Sequence, residues 1–461
     1  MGRYPQVNRR LPGGRMVTWL VFAGLLWSQD PRGSIWPRFE EETAPGVWSW
    51  EVALGLHVQG IQRPRVPDTT GFYERFRDYD DFVKHTQRPS YLSVEVSRRF
   101  ENGWSVVSRT DVYPNWLQTE KEIRYPGRIK DLDSHTNTRG ILQKTGKNYA
   151  FKIGRDFLVW DPRWTGTLLT DQIPSFDQIR ADLWGSRWYY HAFVGDVNRR
   201  DVFRSDNEYK FLTGHRLDVK PVANLLVWVA ELQVITRPLS LADLNPIFLV
   251  YHNLERIHRT HNAITSLGFR WQVRDNLEVS AQLDMDEVES ASFEVYAENE
   301  NAFAYQVAIL HRKFQLSYVK TWPWIYNHEA KTETHNTTFV FPESQDRKGA
   351  VYFDRFIGHP MGSGAAVLQG IVTVFPGLEI QYRHLERTPS HILETISVLE
   401  TPEPVETRNR LAFVYWREIS QRFTARVAAS WEHSANYRHS NTNANLKEWL
   451  VGVAYRFSGP H

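Results

Sequence analysis

The chain has no cysteine, which excludes disulfides and thiolate metal sites in any compartment. It has almost no charge imbalance either. Its 55 basic and 53 acidic residues leave a formal net charge of +2, so nothing in the charge points to nucleic acid or to an acidic substrate. Long apolar runs are also missing: apart from residues 16–28, no stretch approaches the roughly 20 apolar residues of a membrane helix. Helical spans are thereby excluded. The chain holds no G-x-S-x-G, no H-E-x-x-H and no phosphate-binding glycine loop, and no enzyme activity is expected. Carboxylate pairs such as Asp284 with Asp286 follow from a two-residue period and need no catalytic role.

Large apolar groups are abundant. Aromatic residues make up 14% of the chain, yet charged residues reach 23% and mean hydropathy is -0.48. A strand that is oily on one face and polar on the other produces that combination. The N-terminal run "MVTWLVFAGLLWS" follows Arg9, Arg10 and Arg15, the order of a secretory signal, with Met16 a candidate start. A buried helix or strand is the plainer alternative. The expected organisation is a signal peptide over 1–28, a periplasmic arm over 29–45 and an outer-membrane barrel over 46–461.

Beyond residue 45 alternation recurs along most of the chain. "GVWSWEVALGLHVQG" sets Trp48, Trp50, Val52, Leu54, Leu56 and Val58 against Ser49, Glu51, Ala53, Gly55, His57 and Gln59. "NLEVSAQLDMDEV" sets Leu277, Val279, Ala281, Leu283 and Met285 against Glu278, Ser280, Gln282, Asp284 and Asp286. Such runs are about twice the usual strand of about 5–6 residues and match a tilted membrane strand. The polar faces mix charges with Gly, Ala and Ser, suited to a crowded lumen, while the other faces carry Trp, Phe, Leu and Val. Short turns ("ENG", "GS", "KP", "RD", "HR", "FPG", "ISQ") alternate with long polar connections. The expectation is an all-β, transmembrane antiparallel β-barrel of about 18 strands, with short periplasmic turns and long extracellular loops. A large soluble all-β protein is the competing class.

Chemistry should then sit in loops and lumen. "GRDFLVWDPRWTGTLLTDQIPSFDQ" gathers Arg155, Asp156, Trp160, Asp161, Arg163 and Trp164, groups able to stack on sugar rings and bond hydroxyls; an inward constriction loop would use the same residues. His252, His258 and His261 have no carboxylate at an obvious ligand offset, so no metal and no cofactor is expected. The longest loop, 323–363, contains "WPWIYNHEAKTETHN" and "DRFIGHPMGSGAAV".

At these loops the sequence resembles the Wzi family of capsule-assembly outer-membrane proteins. "KIGRDFLVWDPRWTGTLLTDQIPSF" is similar to the family's G-R-(x)n-W-G-P-(x)n-S-L-L-(x)n-P block. "LNPIFLVYHN" follows, and "YFDRFIGHPMGSGAAVLQGI" is similar to its R-(x)n-G-H-(x)n-G stretch. The resemblance implies an 18-stranded lectin barrel that holds surface polysaccharide, with Gly154, Arg155, Trp160, Pro162, Leu168, Leu169, Arg355, Gly358 and His359 at matching positions. Asp161 stands where the family shows Gly, and the region before the first strand is too short for the family's periplasmic helical bundle.

The expected glycan ligands are Arg155, Trp160, Asp161, Trp164, Trp322, Arg355 and His359. A diffusion porin or specific transporter is the alternative function, and docking to other envelope proteins is a third. The closing strand resembles a barrel-assembly signal through Gly452, Tyr455 and Phe457, with "SGPH" as an overhang, so the barrel-assembly machinery is an expected partner beside outer-membrane lipid.

Overall fold

The computed structural model describes residues 47–62, 92–114, 116–118, 124–126, 132–133, 139–161, 166–170, 175–197, 209–240, 243–244, 261–287, 302–323, 325–326, 340–342, 354–359, 361–388, 405–420, 422–436 and 442–458. The expected signal and arm fall outside them. Eighteen strands form one wall: β1 (Trp48–Gln62), β2 (Leu92–Arg99), β3 (Trp104–Pro114), β4 (Arg139–Thr145), β5 (Tyr149–Asp156) and β6 (Phe176–Trp184). They continue as β7 (Trp188–Asp196), β8 (Phe211–Val222), β9 (Leu225–Ile235), β10 (His261–Arg274), β11 (Leu277–Glu287) and β12 (Ala302–His311). The last are β13 (Phe314–Thr321), β14 (Ala365–Phe375), β15 (Leu378–Arg387), β16 (Glu406–Ser420), β17 (Phe423–Ala435) and β18 (Ala444–Ser458).

Every strand pairs antiparallel with its sequence neighbours, and β18 returns to β1 with Leu54 opposite Tyr455 and Val52 opposite Phe457. Closure removes both edges, which a sheet in hydrocarbon must do because unpaired backbone groups there are costly. Every second connection is a turn of two to four residues, for example 100–103, 185–187, 223–224 and 376–377. The longer connections share the opposite end. One expected turn moves: "KP" lies inside β8, and the chain reverses at Ala223–Asn224. A register shift between Val219 and Val222 accommodates Pro221, which has no N–H to give a ladder.

The alternation sorts the wall. On β18, Leu446 and Leu450 are buried inside, whereas Trp449 and Val451 are 46% and 47% exposed on the outside. Trp50, Leu54, Ile179, Leu183, Leu267 and Trp271 are likewise outward, forming an apolar band with aromatic residues toward its rims. One outward sector departs from that pattern. On β7–β9, Tyr190 lies 3.0 Å from His215 Nδ1, His215 is opposite Glu231 in the ladder, and Gln233 donates to Glu231 at 2.6 Å. These polar groups bond to one another instead of facing lipid unpaired.

Inside, cations meet carboxylates. Arg109 lies 3.8 Å from Glu95, Arg270 3.0 Å from Glu278, and Arg410 3.0 Å from Glu448. Arg383 and Arg408 share Glu432 at 3.3 and 3.5 Å, and Arg456 reaches Glu51 at 3.2 Å across the closing seam. Pairing is what makes buried charge tolerable.

Candidate functional site

At the long-loop end three segments fold into the barrel. Leu158, Trp160, Leu168 and Leu169 come from the β5–β6 connection, Ile325 and Tyr326 follow β13, and Ile357 precedes β14. They bury against inward residues of β6–β10 and β12, including Phe176, Phe193, Leu212, Leu232, Ile264 and Ala304. The result is an apolar plug under the loops. Its apolar side chains can be buried because the backbone bonds within and between the segments: Trp160 N and Asp161 N donate to Leu169 O, and Thr170 N to Ile357 O.

The plug's bonds converge on Tyr326. Its hydroxyl donates to Thr167 O at 2.5 Å and accepts from His359 N at 3.1 Å, tying all three segments together. Burial, followed by the nearby carboxylate of Asp284, pushes the phenol well above its ordinary pKa, so it remains a donor. Tyr326 has φ 72, a left-handed conformation unfavourable for a bulky residue, and its own N–H donates to Asp286 at 2.6 Å. A Cβ on Gly358 would meet the Tyr326 ring at 2.3 Å, so only glycine lets the ring lie there. Thr170 donates through N and Oγ1 to Ile357 O and Gly358 O at 3.4 and 2.9 Å.

A second knot holds the plug to the wall. Asp161 accepts from Leu168 N at 3.2 Å and from Gln282 at 2.9 Å, and lies 3.4 Å from Arg216. Arg216 also pairs with Asp218 at 3.1 Å and lies 4.7 Å from the Trp228 ring centroid. Trp160 stands edge-on to His191 and Phe193, both at 5.5 Å. Farther round, Thr321 donates to Gly362 O at 2.8 Å and Arg387 to Met361 O at 3.3 Å, fixing the segment entering β14.

The expected glycan ligands divide among three places. Trp160, Asp161 and His359 are buried in the plug, their side chains enclosed by protein. Arg155 instead projects from the outer side of β5, where it makes a bidentate pair with Asp177 at 3.0 and 2.8 Å, about one-third exposed. Gly154, with φ 127 and room for no Cβ against Gly140 O, sits beside it. Trp322 is also outward: it packs against Phe303 and Tyr305 at 6.1 and 5.8 Å, with Lys320 Nζ 5.1 Å from its ring centroid. Trp164 lies outside the described residues. Of Arg355 only the backbone is described, in a short ladder opposite Phe341. The five whose side chains are described therefore do not line one common surface, because strand parity turns Arg155 and Trp322 outward while the plug draws Trp160, Asp161 and His359 in. Sequence reasoning missed Tyr326, Thr167 and Arg216. Parity marks Arg216 as a lumen residue, but nothing local marks Tyr326, whose partners lie 159 and 33 residues away.

A closed antiparallel barrel of 18 strands, apolar and aromatic outside, charge-paired inside, with short turns at one end and long loops at the other, is a bacterial outer-membrane β-barrel. The fold is similar to that of Wzi, described as an outer membrane protein involved in group 1 capsule assembly in Escherichia coli and as a carbohydrate-binding β-barrel. The TM-score is 0.54 at 12% identity, covering 89% of this chain and 84% of that one. OccK1 (OpdK) of Pseudomonas aeruginosa matches with TM-score 0.49 and 9% identity over 90% and 100% of the two chains. OprD of the same organism gives 0.46 and 9% over 90% and 94%. No protein-family model and no curated protein matches the chain.

Proposed function

We propose that this barrel retains a surface polysaccharide at the cell exterior, without catalysis and without serving as a conduit. The observation that carries the reading is the plug: three segments interlocked by buried hydrogen bonds favour a closed barrel over an open pore. The likeness to a carbohydrate-binding barrel supports it. In this reading the buried members, Trp160, Asp161 and His359, set the loop conformation, and Arg155, Trp164, Trp322 and Arg355 supply contact at the rim. Residues 1–28 act as the export signal, and 29–45 as a periplasmic arm available to envelope partners.

Two measurements test it. Purified barrel in planar bilayers is expected to give no discrete conductance; persistent single-channel steps from the unaltered protein identify a porin or transporter instead. Arg155→Ala combined with Trp322→Ala is expected to reduce cell-surface polysaccharide retention about tenfold, the scale of about 1.4 kcal/mol, with the melting temperature unchanged. Unchanged retention removes these residues from the site.

A further inference from the structure

Most of the inward arginines described above face acids, but two cations near the short-turn end of the outer wall, Arg98 and Lys144, do not. In β2 the parity that turns Val96 outward also turns Arg98 outward, and in β4 the parity of exposed Leu142 turns Lys144 outward. Both lie near short turns, the periplasmic end of an outer-membrane barrel. Arg98 Cζ sits 5.2 Å from the Trp48 ring centroid and 5.0 Å from that of Phe100. Lys144 Nζ sits 5.5 Å from the Trp104 ring centroid and donates to Asn102 O. Among the described residues neither makes an ion pair, and Arg98 Nε is buried without a hydrogen-bond partner. Of the two acids three residues from Arg98, Glu95 is on the inner face with Arg109 and Glu101 lies exposed in the intervening turn.

The ladder brings the two together. Arg98 is opposite Trp48 on β1 and Val106 on β3, while Lys144 is opposite Trp104 on the other side of β3. The two cations thus flank one strand, one position apart along the outer face. Cation–π contacts hold each head against a ring but satisfy few of its N–H donors. At the level where aromatic girdles meet headgroups, the anion available to take them is a lipid phosphate. The guanidinium fork suits two phosphate oxygens, and the flexible lysine can reach a third.

We propose that Arg98 and Lys144 form a binding site for the phosphate headgroup of an anionic phospholipid in the periplasmic leaflet, with Trp48, Phe100 and Trp104 holding the two cations in place. The lipid site pins the seam-proximal strands at a fixed depth. It is independent of polysaccharide retention.

The experiment uses the full barrel in nanodiscs of phosphatidylcholine doped with phosphatidylglycerol, with lipid retained after detergent extraction counted by native mass spectrometry. The unaltered protein is expected to keep phosphatidylglycerol selectively. Arg98→Gln and Lys144→Gln should each weaken retention about fivefold, and the pair about 25-fold, from the scale of one surface cation at a lipid interface. Arg187→Gln, an exposed cation in the β6–β7 turn, serves as the comparison and should change retention less than twofold. Heat-modifiable electrophoretic mobility verifies that each variant is folded. Equal retention by the double variant and the unaltered protein overturns the site. So does an equal loss on Arg187→Gln, which reports diffuse charge, or displacement of the lipid by lipopolysaccharide, which places these residues in the other leaflet.

Discussion

Replacing Tyr326 with alanine is expected to turn a closed barrel into a leaky one. The ring is wholly buried and its hydroxyl links its own segment to the other two, so its loss leaves a cavity and strips Thr167 O and His359 N of their partner. Truncating a buried aromatic costs about 3–5 kcal/mol, and each orphaned polar group adds about 1–3. Plug loops have much less than the whole barrel holding them, so the segments should release while the wall, closed by its own ladder, stays intact. The measurement is conductance: discrete steps absent from the unaltered protein should appear, with heat-modifiable mobility unchanged. Tyr326→Phe, which keeps the ring and removes only the hydroxyl, should leak less. Gly358→Ala should reproduce the alanine phenotype, because its methyl would overlap the ring at 2.3 Å and expel it. A Tyr326→Ala barrel as silent as the original would show that the latch does not hold the plug.

Replacing Phe457 with aspartate should lower the amount of folded barrel in the outer membrane at least tenfold. The physical cost of the charge is small at that height, because Phe457 is near the interface, where polar substitutions cost about 0–1 kcal/mol. Val451 lies deeper on the same outward face, and Val451→Asp carries the larger solvation penalty. The two variants therefore separate explanations. If an assembly machine reads the last strand through Gly452, Tyr455 and Phe457, the substitution at 457 is the more damaging in cells and the milder in refolding with purified lipid. If both assays rank Val451→Asp as worse, the strand end carries no signal. Tyr455 and Phe457 contact one another edge-on at 4.6 Å on the outer wall, available to a partner. Ser458 still pairs with Glu51, so this member of the expected "SGPH" overhang belongs to the strand, and deleting residues 459–461 should leave assembly within twofold.

The barrel was legible in the sequence because its code is local. The parity of Trp449, Val451 and Val453 against Leu450, Gly452 and Ala454 states which side faces lipid, and turn spacing states how many times the chain crosses. Where the turn chemistry misled, at Lys220 and Pro221, the cause was a bulge that let the strand run past a proline.

The site was not legible in the same way. Arg155, Trp160 and Asp161 lie within seven residues in the chain, yet Arg155 ends outside the wall and the other two inside it. The sequence by itself determined the wall: its strand number, the two faces of each strand and the end that carries the long loops, because alternation with a period of two is fixed by backbone geometry. Only the tertiary structure decided that the loops fold inward and which residues lock them. That decision rests on Tyr326, Thr167 and His359 meeting across separations of 159 and 33 residues, and no short-range pattern records such contacts.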